Sequence, residues 1–268
     1  MVKIKLFSPY DHFPNHKPVN GEEFIPCYND NYVREEHIES NAIALLIEPR
    51  PLYPKAYAHI EKHYSNFRYV FTHDSILLKT LPNAKRIIWG GVWDWADEPK
   101  DFEHPISMVA SWKGEAPVRI IRKRLAEELK GQIDCYGTFD GGAFATTHDI
   151  YAKYPFSIVI ENHIDNYWIT EKICNCFANK TVPIYWGAKK IDEFFNVDGI
   201  IKARSADDIK YIIRNLNPKR EYESRIAAIN DNYLRVRKYA NFETWFFNEY
   251  GELLEGLYEE IVNNNTGV

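Results

Sequence analysis

The chain alternates short apolar runs with amphipathic stretches, and that alternation narrows the fold more than any other feature. "VKIKLF", "AIALLIE", "FRYVFTH" and "AKRIIWGG" are strand-length runs, and "YPKAYAHIEKHY" between two of them has helical periodicity. A second block repeats the theme with strand "ISMVAS", helix "APVRIIRKRLAEELK", strands "IDCYG" and "FSIVIEN", helix "TEKICNCFANK" and strand "VPIYWG". A short helix "KKIDEFF", strand "GIIKA" and helix "SADDIKYIIRNL" follow. Strands joined through helices pair in parallel, with the helices packed on the sheet. The pattern predicts an α/β chain of two doubly wound halves, with a ligand beyond the carboxyl ends of the strands. From about Lys219 the pattern is helical, with a break near Asn241. "WGGVWDWADEPKDFEHP", Trp89 to Pro105, carries glycines, prolines and acids and reads as an interdomain linker. It separates residues 1–103 from residues 104–268. Ser8 to Arg34, rich in Pro, Asn, Asp and His, reads as long loops.

Composition removes several function classes. The 268 residues are 45% apolar, enough for a sizeable core, and the net charge is -5. A general nucleic-acid or membrane-surface binder needs a basic excess that is absent here. Cys27, Cys135, Cys174 and Cys176 have no metal or redox spacing and read as free thiols, which suits a reducing compartment. No run approaches the ~18 apolar residues of a membrane span, and "MVKIKLFSPY" does not resemble a signal peptide. The expectation is a soluble, cytoplasmic protein of a bacterium or virus.

"ENHIDNYWITEK", positions 161 to 172, follows the apolar run "FSIVI" and leads into a helix. Thr170 fits an N-cap, so Glu171 and Lys172 fall in the first turn. A lysine there opposes the helix dipole unless an anion answers it. Free N–H groups of the first turn plus an ammonium suit a phosphate or diphosphate. Glu171 suits ribose hydroxyls, and Tyr167 and Trp168 offer ring faces for a base or sugar. A solvated lysine that Glu171 makes tolerable is the alternative.

These residues resemble the signature of family 10 glycosyltransferases, the α1,3-fucosyltransferases. In that family a strand ending in Glu-Asn leads to a Tyr-(Val/Ile)-Thr-Glu-Lys helix start, then a strand with a central proline and a glycine. Glu161, Asn162, Thr170, Glu171, Lys172, Pro183 and Gly187 match at that spacing, and "SMVASWKGEAPVR" resembles the family's upstream strand, with Arg119 opening the next helix. The resemblance covers about Ser107 to Ala203. It implies a GT-B fold, two Rossmann-like domains facing across a cleft, with C-terminal helices. It implies GDP-fucose or a relative as donor, a glycan acceptor, inversion at the anomeric carbon, and no metal or other cofactor. Lys172 would meet the diphosphate, and Glu171 would hold ribose or neighbouring hydroxyls. Asn162, Tyr167 and Trp168 would line the nucleotide beside Glu161 and Thr170. The family usually has tyrosine at the position of Trp168. It often supplies a second phosphate-binding arginine between the "IDCYG" and "FSIVIEN" strands. Here Lys153 is the strong base in that interval, with Arg119 the alternative.

The base on the acceptor is expected from the first half. Glu48 ends an apolar run and Pro49 stops the strand, so Glu48 is a candidate catalytic carboxylate together with Glu171. Pairing of Glu48 with Arg50 is the alternative, and Glu22, Glu23 and Asp11 are reserves. No Asp-x-Asp metal motif occurs. His59 and His63 in "HIEKH" lack the zincin order and read as a solvated helix face. "DGGAF", Asp140 to Phe144, is a phosphate-approach loop or a plain turn. Trp89, Trp93 and Trp95 are either an acceptor platform or buried at a domain interface. His12, His16 and Asp11 are candidate acceptor contacts. A transferase using another nucleotide sugar, and a non-catalytic glycan- or nucleotide-binding module, remain as rival readings.

Overall fold

The central apolar runs are buried on both faces, which is why they read as continuous rather than alternating. The computed structural model describes residues 1–111 and 117–266. The chain forms two compact units, Met1–Ile88 with the helix from Phe242, and Trp89–Asn241. In chain order the first unit contributes β1 (Ile4–Phe7), β2 (Ile25–Asn29), β3 (Ile43–Leu46), α1 (Pro54–His63), β4 (Tyr69–Thr72), α2 (Ser75–Thr80) and β5 (Ala84–Arg86). The second contributes β6 (Ile106–Val109), α3 (Pro117–Leu129), β7 (Asp134–Tyr136), α4 (Thr147–Tyr151), β8 (Phe156–Ile160) and α5 (Glu171–Ala178). It continues with β9 (Val182–Trp186), β10 (Ile201–Lys202), α6 (Ala206–Asn215) and α7 (Pro218–Arg235). The last helix, α8 (Phe242–Thr266), belongs to the first unit.

In the first unit the five parallel strands lie in sequence order, β1-β2-β3-β4-β5. Crossovers of one hand between strands added in order all fall on one face. Ala44, Leu46 and Val70 accordingly pack with Ala56, Tyr57, Ile60 and Leu77 of α1 and α2. The other face needs a separate cover, and α8 supplies it. Phe246 packs on Phe13 at 5.2 Å and on Phe71 at 4.7 Å, and Tyr250 on Phe71 at 5.0 Å. Phe242, Phe246 and Tyr250 recur every four residues, the spacing of one helix face. The expected break near Asn241 is therefore where the chain changes units. The last helix sits with the first half rather than with residues 104–268.

β2 lies inside the stretch read as loops. Pro26 hides it in the sequence, because proline cannot donate to a central ladder. The ladder to β3 begins only at Cys27, so Pro26 is beyond it. Pro183 in β9 has the same solution, since the ladder to β10 begins at Ile184.

The second unit's parallel sheet runs β7-β6-β8-β9-β10. Its order reverses between β6 and β8, which makes their carboxyl ends a topological switch point. The stretch expected to be a linker is strapped to this unit. Gly91 N donates to Tyr239 O (2.8 Å) and Val92 N to Ala240 O (3.0 Å). The Lys100 ammonium donates to the carbonyls of Ala152 (2.7 Å) and Asn179 (2.6 Å), just beyond the ends of α4 and α5. No described helix is long and apolar enough to cross a membrane.

Candidate active site

The motif at 161 to 172 occupies the switch point. β8 delivers Glu161 fully buried at its end. The Glu161 carboxylate accepts the Thr170 hydroxyl (2.8 and 3.0 Å) and the Thr170 N–H (3.3 Å). Thr170 caps α5 by accepting Lys172 N at 3.4 Å. Lys172 Nζ folds back to Thr170 Oγ1 and Glu171 Oε1, each at 3.0 Å, and lies 3.6 Å from Glu161 Oε2. Two carboxylates thus answer the cation at the helix start. Burial disfavours the charge of Lys172, but Glu171 and Glu161 outweigh it and raise its pKa. Burial pushes the Glu161 carboxyl up against the pull of Lys172.

Gly187 follows β9 because nothing larger fits. A Cβ there would sit 2.3 Å from the Tyr185 ring and 2.7 Å from Glu161 Cγ. The glycine in the signature therefore protects the position of Glu161.

Arg122 is the site residue that sequence reasoning missed. It lies on α3, 8% exposed, on the same stripe as Leu125, Ala126 and Leu129. Its Nη1 donates to Ile160 O at 2.9 Å. Burial lowers its pKa against the pull of Glu161, and an arginine keeps its charge regardless. An arginine on the apolar stripe of an amphipathic helix was the available signal. Arg119, one turn earlier, adds charge close enough to act on Arg122. Lys172 and Arg122 thus stand with Glu161 and Glu171 at this edge, and Arg119 adds further positive charge beside Arg122.

Arg122, Glu171, Lys172, Thr138 and Tyr151 line one cavity of about 220 Å³. Two buried polar atoms at the carboxyl edge of this sheet have no hydrogen-bond partner among the described residues: Thr138 Oγ1, which lines the cavity, and Asn162 Oδ1, just after β8 and outside the lining. Buried polar atoms are nearly always satisfied, so such pairs mark a place for a ligand or water. Gly137 takes φ +95, and a Cβ on it would lie 2.3 Å from Ala110 O, so the turn into Thr138 requires glycine. Phe144 of the "DGGAF" loop also lines the cavity.

Other expected residues land elsewhere. Trp168 is 3% exposed, so its ring belongs to the core and presents no open face to a base. Tyr167 is half-buried and meets Phe194 edge-on at 6.4 Å. Lys153 precedes β8, at the amino edge of the sheet, exposed over the Tyr154 ring; that is the wrong end for the cavity. Residues 112–116 of the upstream match lie outside the described residues. Trp93 lines the cavity and is 71% exposed, and its backbone N–H donates to Asn175 Oδ1 at 2.9 Å. Trp95 meets Tyr233 edge-on at 5.5 Å, and Trp89 is half-buried.

In the first unit Glu48 follows β3 at the sheet's carboxyl edge, partly exposed. Arg50 bonds Asp74 (2.9 and 3.0 Å) and Glu61 (2.6 Å). His16 is structural: it stacks on Phe247 at 3.5 Å and bonds the buried Glu243 at 2.8 Å. Burial, opposed by Asp11, lowers the His12 pKa to about 4. Asp11 pairs with Lys17, Glu22 with Lys3, and Glu23 accepts from Asn265. The four cysteines are free, three of them buried. Among the described residues no group of three or more His, Cys, Asp or Glu is placed to hold a metal.

Two parallel α/β units, with a cation-lined cavity at a switch point, define the GT-B class of nucleotide-sugar transferases. Residues 103–246 match the family described as glycosyltransferase family 10 (fucosyltransferase), C-terminal part, and the chain belongs to this family. Over 77 residues it is 27% identical to the α-(1,3)-fucosyltransferase FucT of Helicobacter pylori. That match spans 26% of this chain and only 16% of the relative. Solved structures share the fold. An α1,3-fucosyltransferase with GDP-fucose has a TM-score of 0.57 at 17% identity, covering 91% of this chain and 80% of that one. TarM has a TM-score of 0.56 at 13% identity, covering 86% and 54%.

Proposed function

We propose that the chain is an inverting glycosyltransferase that moves L-fucose from GDP-fucose to a glycan hydroxyl, in an α1,3-type linkage. The observation that carries this reading is the cavity at the β6/β8 switch point, lined by Lys172 and Arg122 together with Thr138, whose buried hydroxyl has no hydrogen-bond partner among the described residues. In the proposed complex, Lys172, Arg122 and the first-turn N–H groups of α5 meet the diphosphate. Binding turns Lys172 from its intramolecular carboxylates toward phosphate oxygens, so its charge is available when the leaving group becomes more negative. Glu161 keeps Thr170 and the helix start in place. Glu171, freed from Lys172, accepts from ribose or sugar hydroxyls, and Asn162 accepts from the nucleotide. Thr138 donates its hydroxyl from the interval between β7 and β8, in which the family often supplies an arginine, and Arg122 supplies the second charge from α3.

Glu48 is the proposed general base, taking the proton of the attacking acceptor hydroxyl. Its place directly after β3, at the carboxyl edge of the sheet, supports this role. Charge neutralisation by lysine, arginine and backbone makes a metal unnecessary in this scheme, and we propose metal-independent transfer. The test is incubation with GDP-[¹⁴C]fucose, excess EDTA and an array of glycan acceptors. Transfer with α-configured product supports the reading. Transfer from UDP- or ADP-sugars but not GDP-fucose would replace the donor, and binding without transfer or hydrolysis would make the chain a non-catalytic module.

A further inference from the structure

A second carboxylate stands beside Glu48. Asp30 directly follows β2, is buried, and takes φ +40, in the left-handed region that non-glycine residues rarely enter. Its Oδ1 accepts the backbone N–H groups of Ile47 (3.1 Å) and Glu48 (3.0 Å), the two residues that leave β3. The Glu48 carbonyl accepts the Tyr57 hydroxyl at 2.8 Å, and that hydroxyl lies 3.4 Å from His73 Nε2. The peptide of Glu48 is therefore gripped from both sides. Holding two N–H groups does not require a charge. Asparagine would accept the same bonds, tolerate the left-handed backbone and bury no carboxylate. The residue present at Asp30 is the costlier choice for folding, which points to a use beyond folding.

We propose that Asp30 is the positioning residue of Glu48, fixing the direction in which that side chain leaves the sheet and keeping a second, proton-exchanging carboxyl beside it. The proposal rests on Glu48 as the base. Burial pushes the Asp30 carboxyl up to about 7, opposed by the Glu48 N–H and reinforced by the Glu48 charge. Glu48, Tyr53, Tyr57 and Cys27 face it from the turn after β3, the start of α1, α1 itself and β2. Beyond Tyr57 lie His73 and the Arg50–Asp74 pair. When Glu48 takes the acceptor proton its charge goes from −1 to 0, which relieves the repulsion between the two carboxylates. Ionised Asp30 thus favours proton uptake by Glu48.

The test compares the full wild-type chain with D30N, D30A and E48Q. Turnover of GDP-fucose, GDP affinity and melting temperature are read from about pH 5.5 to 8.5. D30N should lose roughly tenfold in kcat, keep GDP affinity within about threefold and displace the acid limb near neutral pH. It should melt at or above the wild-type temperature at alkaline pH, because no buried charge remains there. D30A should lose both stability and turnover. An inactive E48Q beside a D30N with wild-type kcat and acid limb overturns the proposal and leaves Glu48 as base. An E48Q with wild-type kcat removes Glu48, and the proposal with it. D30N melting well below wild type at every pH reduces Asp30 to a structural anchor and overturns the proposal. Carbon-13 titration of the Asp30 carboxyl gives a readout independent of turnover. Its midpoint should fall in E48Q, and an unchanged midpoint overturns the coupling.

Discussion

Lys172→Met separates folding from donor binding at one residue. A helix-dipole argument alone expects the change to stabilise, by roughly 0.3–1 kcal/mol, since a cation leaves a helix N-terminus. The structure reverses that sign. Lys172 lies 3.6 Å from the fully buried Glu161, an attraction of about 4–5 kcal/mol at an effective dielectric constant near 20. The lysine side chain is 17% exposed, and Glu161 can take up a proton when its partner goes, so the net loss is roughly 2–3 kcal/mol. The pH dependence follows from the raised Glu161 carboxyl. Losing Lys172 raises it further in the folded state only. The folded protein then binds more protons than the unfolded chain above the ordinary carboxylate range, so the loss grows as pH rises and shrinks toward acid. Urea unfolding of wild type, Lys172→Met, Glu161→Gln and the double variant at acidic and alkaline pH measures this. The double variant should regain most of the stability but not GDP affinity, which falls about 10–100-fold with the ammonium. A Lys172→Met protein as stable as wild type at alkaline pH would refute the pairing.

Gly187→Ala should destabilise by roughly 1–3 kcal/mol or more, because its Cβ meets the Tyr185 ring at 2.3 Å, and calorimetry should show weaker GDP binding as Glu161 is displaced. Arg122→Met, which keeps the apolar stem, should lower GDP affinity about 10–100-fold while leaving the fold intact by circular dichroism; unchanged affinity would return the second charge to Arg119. Glu243→Ala should cost roughly 2–4 kcal/mol, since the buried carboxylate holds Asn15 (2.9 and 2.6 Å) and His16 (2.8 Å), and proteolysis should then cut first in the loop after β1.

The parallel α/β layering was legible because strands buried on both faces leave unbroken apolar runs, as in "FSIVI". The helix start at Thr170 was legible because capping is local chemistry. What was hidden depended on partners distant in the chain. β2 was obscured by Pro26, which is acceptable only because the β3 ladder starts one residue later. The return of α8 to the first unit depends on Phe71 and Phe13 needing cover. Arg122 stood in plain view on an apolar stripe, but its closeness to Glu161 required the crossing of α3 over β8. Trp168 was misread because an aromatic beside a site motif looks the same whether its ring faces a ligand or the core. Asp30 looked like loop polarity until its backbone conformation and its two N–H partners were visible.

The central claim is that the β6/β8 cavity binds a guanine nucleotide through cations and not through a metal. Calorimetric titration of GDP into the full chain in excess EDTA, with UDP as comparator, tests it most directly. The expected result is saturable one-to-one GDP binding, at least about tenfold tighter than UDP, a difference of roughly 1.4 kcal/mol. No heat from GDP, or tighter binding of UDP, would contradict the account.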